Sequence, residues 1–286
     1  MSKNDLFTMT PQDYAGVLVD PPAHVHKHSR GRLLIVAGSA QYPGAALLTA
    51  LGAARSGAGY ITLATAQQVV PIAQTNLLTV PVVGLATDDS EMIALEAEGR
   101  IEELAKNADA LVIGPGIGGG DETAEMVRRV VVASTIPTVI DADGINAFIG
   151  HTDRMLEAKA SLILTPHEGE RARLGVSTDD LVSETCIVVA KGPTTTITDR
   201  MRTIKDATGP SSLATAGTGD VLSGIIGALL CQGIDPYLAA ATGVRLHSTA
   251  ALIAIEDLTA NCLIATDVID YLPDAFRILK EGGAYA

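Results

Sequence analysis

The stretch Ala214-Thr215-Ala216-Gly217-Thr218-Gly219-Asp220 runs straight into the apolar residues 221–230. A small, polar turn that opens a buried helix leaves several backbone N–H groups without carbonyl partners, and the helix dipole adds partial positive charge there. Gly217, Thr218 and Gly219 are therefore candidates for an anion hole able to hold a phosphate. Asp220 stands at its mouth. A carboxylate beside an anion hole is unfavourable unless it has a task, and taking the proton of an attacking hydroxyl is the evident one. The plainer alternative makes Asp220 an N-cap and the glycines mere turn formers.

Other polar clusters follow short apolar runs. Leu33-Leu34-Ile35-Val36-Ala37 ends at Gly38-Ser39, and Tyr42-Pro43-Gly44-Ala45 then opens a helix reaching about Arg55. Small residues there allow either close approach of a ligand or tight helix–strand packing. Ala110-Leu111-Val112-Ile113 ends in Gly114-Pro115-Gly116-Ile117-Gly118-Gly119-Gly120, with Asp121 expected to cap the helix that follows. Thr138-Val139-Ile140 leads to Asp141-Ala142-Asp143 and Asn146; Leu162-Ile163-Leu164 leads to Thr165-Pro166-His167-Glu168-Gly169-Glu170. Ile187-Val188-Val189-Ala190 leads to Lys191-Gly192-Pro193-Thr194-Thr195, where the lysine either meets phosphate or is merely solvated. Residues 196–198 and 203–205 read as a hairpin.

Unbroken apolar runs of this length are buried parallel strands. Their β–α rhythm predicts a doubly wound sheet, which sets all these turns on one edge. Tyr60 opens a further strand to residue 64; residues 67–78 read as helical with a break near Pro71, 91–106 as a helix, and 234–256 as a core helix. No linker divides the chain, so 1–286 is expected to form a single domain, with 1–27 as a lead-in segment.

Composition narrows the partners. The formal charge of −13 argues against nucleic acid. Phosphates held by backbone amides need little positive side-chain charge. The three cysteines, Cys186, Cys231 and Cys262, are widely spaced and read as buried thiols in a reducing compartment. The polar start lacks the apolar core of a signal peptide, and no uninterrupted apolar run is long enough to span a bilayer, so the expectation is a cytoplasmic protein. His24, His26 and His28 alternate, but no carboxylate or thiolate stands at metal spacing, and they read as a solvated loop.

Six marks in this order, Tyr42-Pro43-Gly44-Ala45, Gly114-Pro115-Gly116-Ile117-Gly118, Asp141-Ala142-Asp143, Thr165–Glu170, Lys191-Gly192 and Gly217-Thr218-Gly219-Asp220, resemble the ADP- or ATP-dependent NAD(P)H-hydrate dehydratases of the ribokinase-like superfamily. The resemblance spans about 28–273. It implies a ribokinase-like α/β fold, a central mostly parallel sheet flanked by helices on both faces. It also implies a hydro-lyase that repairs a metabolite: water is removed from the S epimer of NAD(P)H hydrate. The 6-hydroxyl takes a phosphoryl group, commonly from ADP to give AMP, and phosphate then leaves.

By the same resemblance Ala45, Gly118 and His167 contact the hydrate, while Lys191, Gly192, Pro193, Thr194, Thr195 and Gly219 hold the adenine nucleotide. Asp220 binds substrate and acts as general base, and Mg²⁺ is implied by the phosphate chemistry without a metal motif of its own. A homotetramer is expected, with epimerisation left to a separate enzyme. The chain departs from the family in a short segment between Glu170 and Lys191, in Ala216, and in His247-Ser248-Thr249-Ala250. A ribokinase-like kinase for a small alcohol, or a nucleotide sensor without turnover, would share the anion hole. The end product separates the first, and absence of turnover the second.

Overall fold

Helices cover both faces of most strands, which is why their sequences are continuously apolar rather than alternating. The computed structural model describes residues 5–20 and 30–283. In chain order they form β1 (Asp5–Leu6), α1 (Pro11–Val17), β2 (Arg32–Val36), α2 (Pro43–Arg55), β3 (Tyr60–Ala66), α3 (Val70–Asn76) and β4 (Val82–Leu85). Next come α4 (Glu98–Ala105), β5 (Ala110–Ile113), α5 (Asp121–Ala133), β6 (Thr138–Ile140), α6 (Asp143–Asn146) and β7 (Leu162–Leu164). Then follow α7 (Glu168–Leu174), α8 (Thr178–Leu181), β8 (Cys186–Ala190), β9 (Thr195–Thr198) and β10 (Arg202–Asp206). The chain closes with α9 (Thr218–Cys231), α10 (Pro236–Asp257) and α11 (Ala265–Lys280).

The strands make one sheet in the order β1-β10-β9-β8-β7-β6-β5-β2-β3-β4. Among the strands of the described residues, only the pairings of β9, with β8 and with β10, are antiparallel. The chain runs outward from β2 to β4, then returns to the other side of β2 with β5. Right-handed crossovers therefore place the helices of the two halves on opposite faces. Helix α2 packs with α3, α9 and α11 on one face, and α4 packs with α5 on the other. The reversal leaves a crevice at the carboxyl ends of β2 and β5, where ligands bind in such sheets.

Helix α9 is buried along nearly its whole length. Two glycines let it lie backbone to backbone with α2: a methyl on Gly224 would stand 2.1 Å from the Thr49 carbonyl oxygen, and one on Gly52 2.8 Å from that of Val221. Helix α10 is long and apolar enough to cross a membrane by composition, yet most of it is buried against the rest of the fold. It is a core helix, as its sequence predicts.

Several local expectations need correction. Pro71 does not interrupt a helix; it sits in the first turn of α3, where its missing N–H costs nothing, after a 3₁₀ turn over Gln67–Val69. The helix expected from 91 starts later, because residues 87–93 fold back through a Thr87–Ile93 bridge and Glu91 has φ +60°. Gly120, not Asp121, is the N-cap of α5; Asp121 occupies the first helical position, where its charge still favours the dipole. Cys186 and Cys231 are buried, but Cys262 is exposed. Strands β1 and β4 and helices α1 and α11 have no counterpart in the sequence reading. His24, His26 and His28 lie outside the described residues.

Candidate active site

The turn before α9 closes with Gly217 at φ +88°, a left-handed conformation that costs glycine nothing. Gly217 is the N-cap, so Asp220 stands at the third helical position and does not cap. Thr218 is held by its own loop: its Oγ1 donates to the carbonyls of Leu213 and Thr215, and its N–H reaches Thr215 O at 3.4 Å. Among the described residues the N–H groups of Gly217, Gly219 and Asp220 meet no carbonyl. The candidate anion hole therefore keeps the expected glycine amides, gains that of Asp220, and loses most of Thr218's.

Asp220 is half-buried, and its carboxyl is pushed up to about 7. Burial is the main cause, and the charges of Asp141, Asp143 and Glu170 add to it, against the opposing pull of Lys191. A base with that pKa is half-ionised at neutral pH, the balance that proton transfer favours. The four partners also locate it, because they follow three neighbouring strands: Asp141 and Asp143 come after β6, Glu170 lies in α7 after β7, and Lys191 comes after β8.

Asp141, at the end of β6, is 1% exposed. Its Oδ1 accepts from Lys191 Nζ at 2.9 Å, and its Oδ2 from Ser223 Oγ at 2.6 Å. Lys191 follows β8, and burial works against its charge, but Asp141 and Glu170 more than offset this and raise its pKa. A methyl added to Gly219 would lie 3.2 Å from Lys191 Nζ, so the ammonium stands directly beside the free amides. Ser223 also donates to Gly219 O at 3.1 Å, which ties α9 to this pair.

The glycine loop after β5 meets the same cluster. Gly118, at φ +92°, donates its N–H to Asp143 Oδ2 at 3.0 Å, and a methyl on it would stand 2.5 Å from Met92 Sδ. Gly116 lies against Ala45: a methyl on it would be 2.7 Å from Ala45 Cβ. Between Asp141 and Asp143, Ala142 adopts φ +50°, a strained conformation for an alanine at the turn that presents both carboxylates. His167 caps α7, its Nδ1 accepting from the N–H of Gly169 at 2.9 Å, while its Nε2 lies 3.4 Å from Glu170 Oε1. Half of its side chain remains exposed. Gly192, Pro193 and Thr194 form the exposed turn between β8 and β9, and Thr195 begins β9.

Ala45, Gly118, His167, Lys191, Gly219 and Asp220 thus share the carboxyl edge of one sheet. The sequence reading left out Ser223, although its place three residues after Asp220 puts both on one helix face. It flagged Asp141 and Asp143 without giving them roles. A depression of about 350 Å³ lined by Arg32, Tyr60 and Arg100 lies at the amino ends of β2 and β3, away from all of this chemistry. Between Glu170 and Lys191 the structure has two short helices, α7 and α8, divided by Gly175 at φ +69°.

The family model described as NAD(P)H-hydrate dehydratase matches residues 33–274. The bifunctional NAD(P)H-hydrate repair enzyme of Salinibacter ruber is 37% identical over 89% of this chain and 49% of its own length. This chain spans about half the length of that and the other first-matched curated relatives. The ADP-dependent (S)-NAD(P)H-hydrate dehydratase of Bacillus subtilis is 32% identical, over 94% of this chain and 97% of its own. A B. subtilis ADP/ATP-dependent NAD(P)H-hydrate dehydratase co-crystallized with ATP and Mg²⁺ superposes with a TM-score of 0.76 at 27% identity, covering 94% and 97% of the two chains. A ribokinase-like superfamily protein of Enterococcus faecalis shares the fold, with a TM-score of 0.78 at 23% identity over 97% of this chain and 99% of that one.

Proposed function

The chain belongs to the NAD(P)H-hydrate dehydratase family, and from that premise we propose that it regenerates NAD(P)H from the S epimer of its hydrate, driven by an adenine nucleotide. The observation that carries the reading is Asp220, a base held near neutrality beside free helix amides and the Lys191 ammonium. The hydrate lies along Ala45, Gly118 and His167, and the nucleotide along Lys191, Gly192, Pro193, Thr194, Thr195 and Gly219. Asp220 takes the proton of the 6-hydroxyl as its oxygen attacks the terminal phosphorus of ADP, and AMP leaves. The amides and Lys191 stabilise charge on the phosphoryl group in flight. Phosphate then departs from the ring with the C–O bond, a proton leaves the neighbouring carbon, and the double bond returns. The sum is hydrate plus ADP giving NAD(P)H, AMP and phosphate.

Magnesium fits this site as an ion carried by the nucleotide. Among the described residues no three His, Cys, Asp or Glu side chains gather at metal spacing. Asp141 is engaged with Lys191 and Ser223. Glu170, whose charge reaches both Lys191 and Asp220, is 4% exposed and its Oε2 accepts from the His167 N–H at 2.8 Å, so the ion would be held by the nucleotide's phosphates rather than by a carboxylate of its own. When bound, Mg²⁺ neutralises phosphate charge. The reading further includes a homotetramer in the cytoplasm, working beside a separate NAD(P)H-hydrate epimerase.

The test is purified protein with NADH hydrate, Mg²⁺ and either ADP or ATP, followed by recovery of dihydronicotinamide absorbance. ADP is expected to support turnover at least as well as ATP; strict dependence on ATP would overturn the nucleotide assignment. A stable phosphoester product would instead identify a small-alcohol kinase, and nucleotide binding without turnover a sensor. Sedimentation at working concentration checks the tetramer.

A further inference from the structure

Helix α10 reaches the anion hole through one side chain. His247 is 7% exposed, and its Nε2 lies 2.9 Å from the carbonyl oxygen of Thr218. A carbonyl only accepts, so Nε2 carries the proton and donates. That oxygen belongs to the peptide unit joining Thr218 to Gly219. The unit is planar and trans, so its C=O and N–H point in opposite directions. Holding the oxygen from α10 therefore sets the direction of the Gly219 N–H, one of the free amides. A hydrogen bond to the oxygen also polarises the unit and makes its N–H a better donor.

A first-turn carbonyl is ordinarily served by the next turn of its own helix. A buried imidazole is not needed to satisfy it. Other parts of α10 brace the same loop: Arg245 donates to Thr208 Oγ1, and Ser248 Oγ stands 3.1 Å from where a methyl on Gly209 would be. Neither touches the peptide unit between Thr218 and Gly219. Burial holds the His247 pKa down to about 4, so the ring stays neutral near pH 7 and brings no charge of its own to the phosphate site.

We propose that His247 is a positioning residue for phosphoryl transfer, aiming and polarising the Gly219 N–H toward the phosphate. This rests on the reading of that amide as a phosphate donor. Thr–Gly pairs occur in the chain only at 208–209, 218–219 and 242–243. Full-length protein labelled with ¹³C-carbonyl threonine and ¹⁵N glycine therefore reports the Gly219 amide as one of three resonances. The comparison is the parent, His247→Leu, His247→Gln and His247→Asn, each with and without ADP. Glutamine's amide reaches about where Nε2 was; asparagine's falls short.

The Gly219 resonance is expected to move in His247→Leu and His247→Asn, to return toward its parental place in His247→Gln, and to respond to ADP in the parent. Removing an anion-hole donor outright costs about 10²–10³-fold in kcat, so misaiming one is expected to cost about 10- to 100-fold, with KM for the hydrate held within about 3-fold. Glutamine should recover most of that loss. Unchanged kcat in folded His247→Leu overturns the proposal. So does a Gly219 resonance that is the same in all four proteins, or a loss that tracks melting temperature and that glutamine does not relieve. Should His247→Leu fail to fold, the glutamine and asparagine variants decide between these outcomes. If the parent regenerates no NAD(P)H, the dehydratase reading falls, while the Gly219 resonance still decides whether His247 sets that amide.

Discussion

The wall assigned to the hydrate and the wall assigned to the nucleotide are built on different principles. On the hydrate side, backbone and small side chains interlock: Gly116 against Ala45, and Gly118 bonded to Asp143 and covered by Met92. Asp143 is held in turn by Asn146, and Asn146 by Arg173. On the nucleotide side, Gly192, Pro193 and Thr194 are an exposed turn, and a methyl on Gly192 would meet nothing closer than the Thr194 carbonyl at 3.7 Å. Lys191 at its root is fixed by Asp141, and the turn itself is closed by a long 3.5 Å bond from Thr195 Oγ1 to the Gly192 carbonyl. On this assignment one wall would select by shape, and the other would grip by the half-buried Lys191 ammonium and free amides. A shaped wall suits a substrate recognised by its stereochemistry. A charge grip suits nucleotides differing only in phosphate number.

Asp220 stands between the walls, and its loss should stop chemistry while sparing both. Asp220→Asn keeps the size of the side chain but cannot take a proton, and kcat is expected to fall about 10²–10⁴-fold. Calorimetry should show ADP affinity maintained or improved, because a negative charge beside the phosphates is gone. Near-parental kcat in a folded variant would refute the assignment. In the parent, protonation of Asp220 below about pH 7 removes the base, so turnover should decline on the acid side of that value. Lys191 lowers the Asp220 pKa, so Lys191→Met should move this limb to higher pH. A limb that stays in place would detach the lysine from the base.

Breaking the shaped wall comes next in size. Gly118→Val puts a β-branched side chain at φ +92° with its Cβ against Met92. The backbone cost alone is about 1–2 kcal/mol, and KM for the hydrate is expected to rise about 10-fold or more while KM for ADP changes little. Equal effects on both substrates would show that the walls are not separate. His167→Ala removes a cap and an exposed ring face, and should raise KM for the hydrate more than it lowers kcat, by about 3- to 10-fold. A collapse of kcat with KM unchanged would make His167 a participant in the chemistry. The smallest effect belongs to the exposed turn: Thr194→Ala is expected to change KM for ADP by less than about 3-fold, as a surface substitution does. A large loss would show that the turn closes on the nucleotide.

Reading the sequence reached the shaped wall and the mouth of α9 more readily than the electrostatics between them. Glycines after apolar runs mark loops at strand ends, and the β–α rhythm sets those ends on one edge. That logic placed Gly118, His167, Lys191 and Asp220 together. It failed at residues 87–93, where a bridge displaced a helix start, and at Asp121, where propensity for a cap lost to Gly120. Lys191 illustrates the remainder. Nothing in its neighbours in sequence distinguishes it from a solvated lysine, because the partner that fixes it is Asp141, fifty positions away.

The sequence by itself determined the central buried strands and the long core helices, where the glycine-rich turns fall, and which kinds of chemistry those turns allow, since these follow from local periodicity and backbone freedom. Only the tertiary structure decided the pKa of Asp220, the pairing of Lys191 with Asp141, and the hold of His247 on the peptide before Gly219. Burial and through-space charge depend on which strand ends the sheet order brings side by side. Those distances are set by packing between residues remote in sequence.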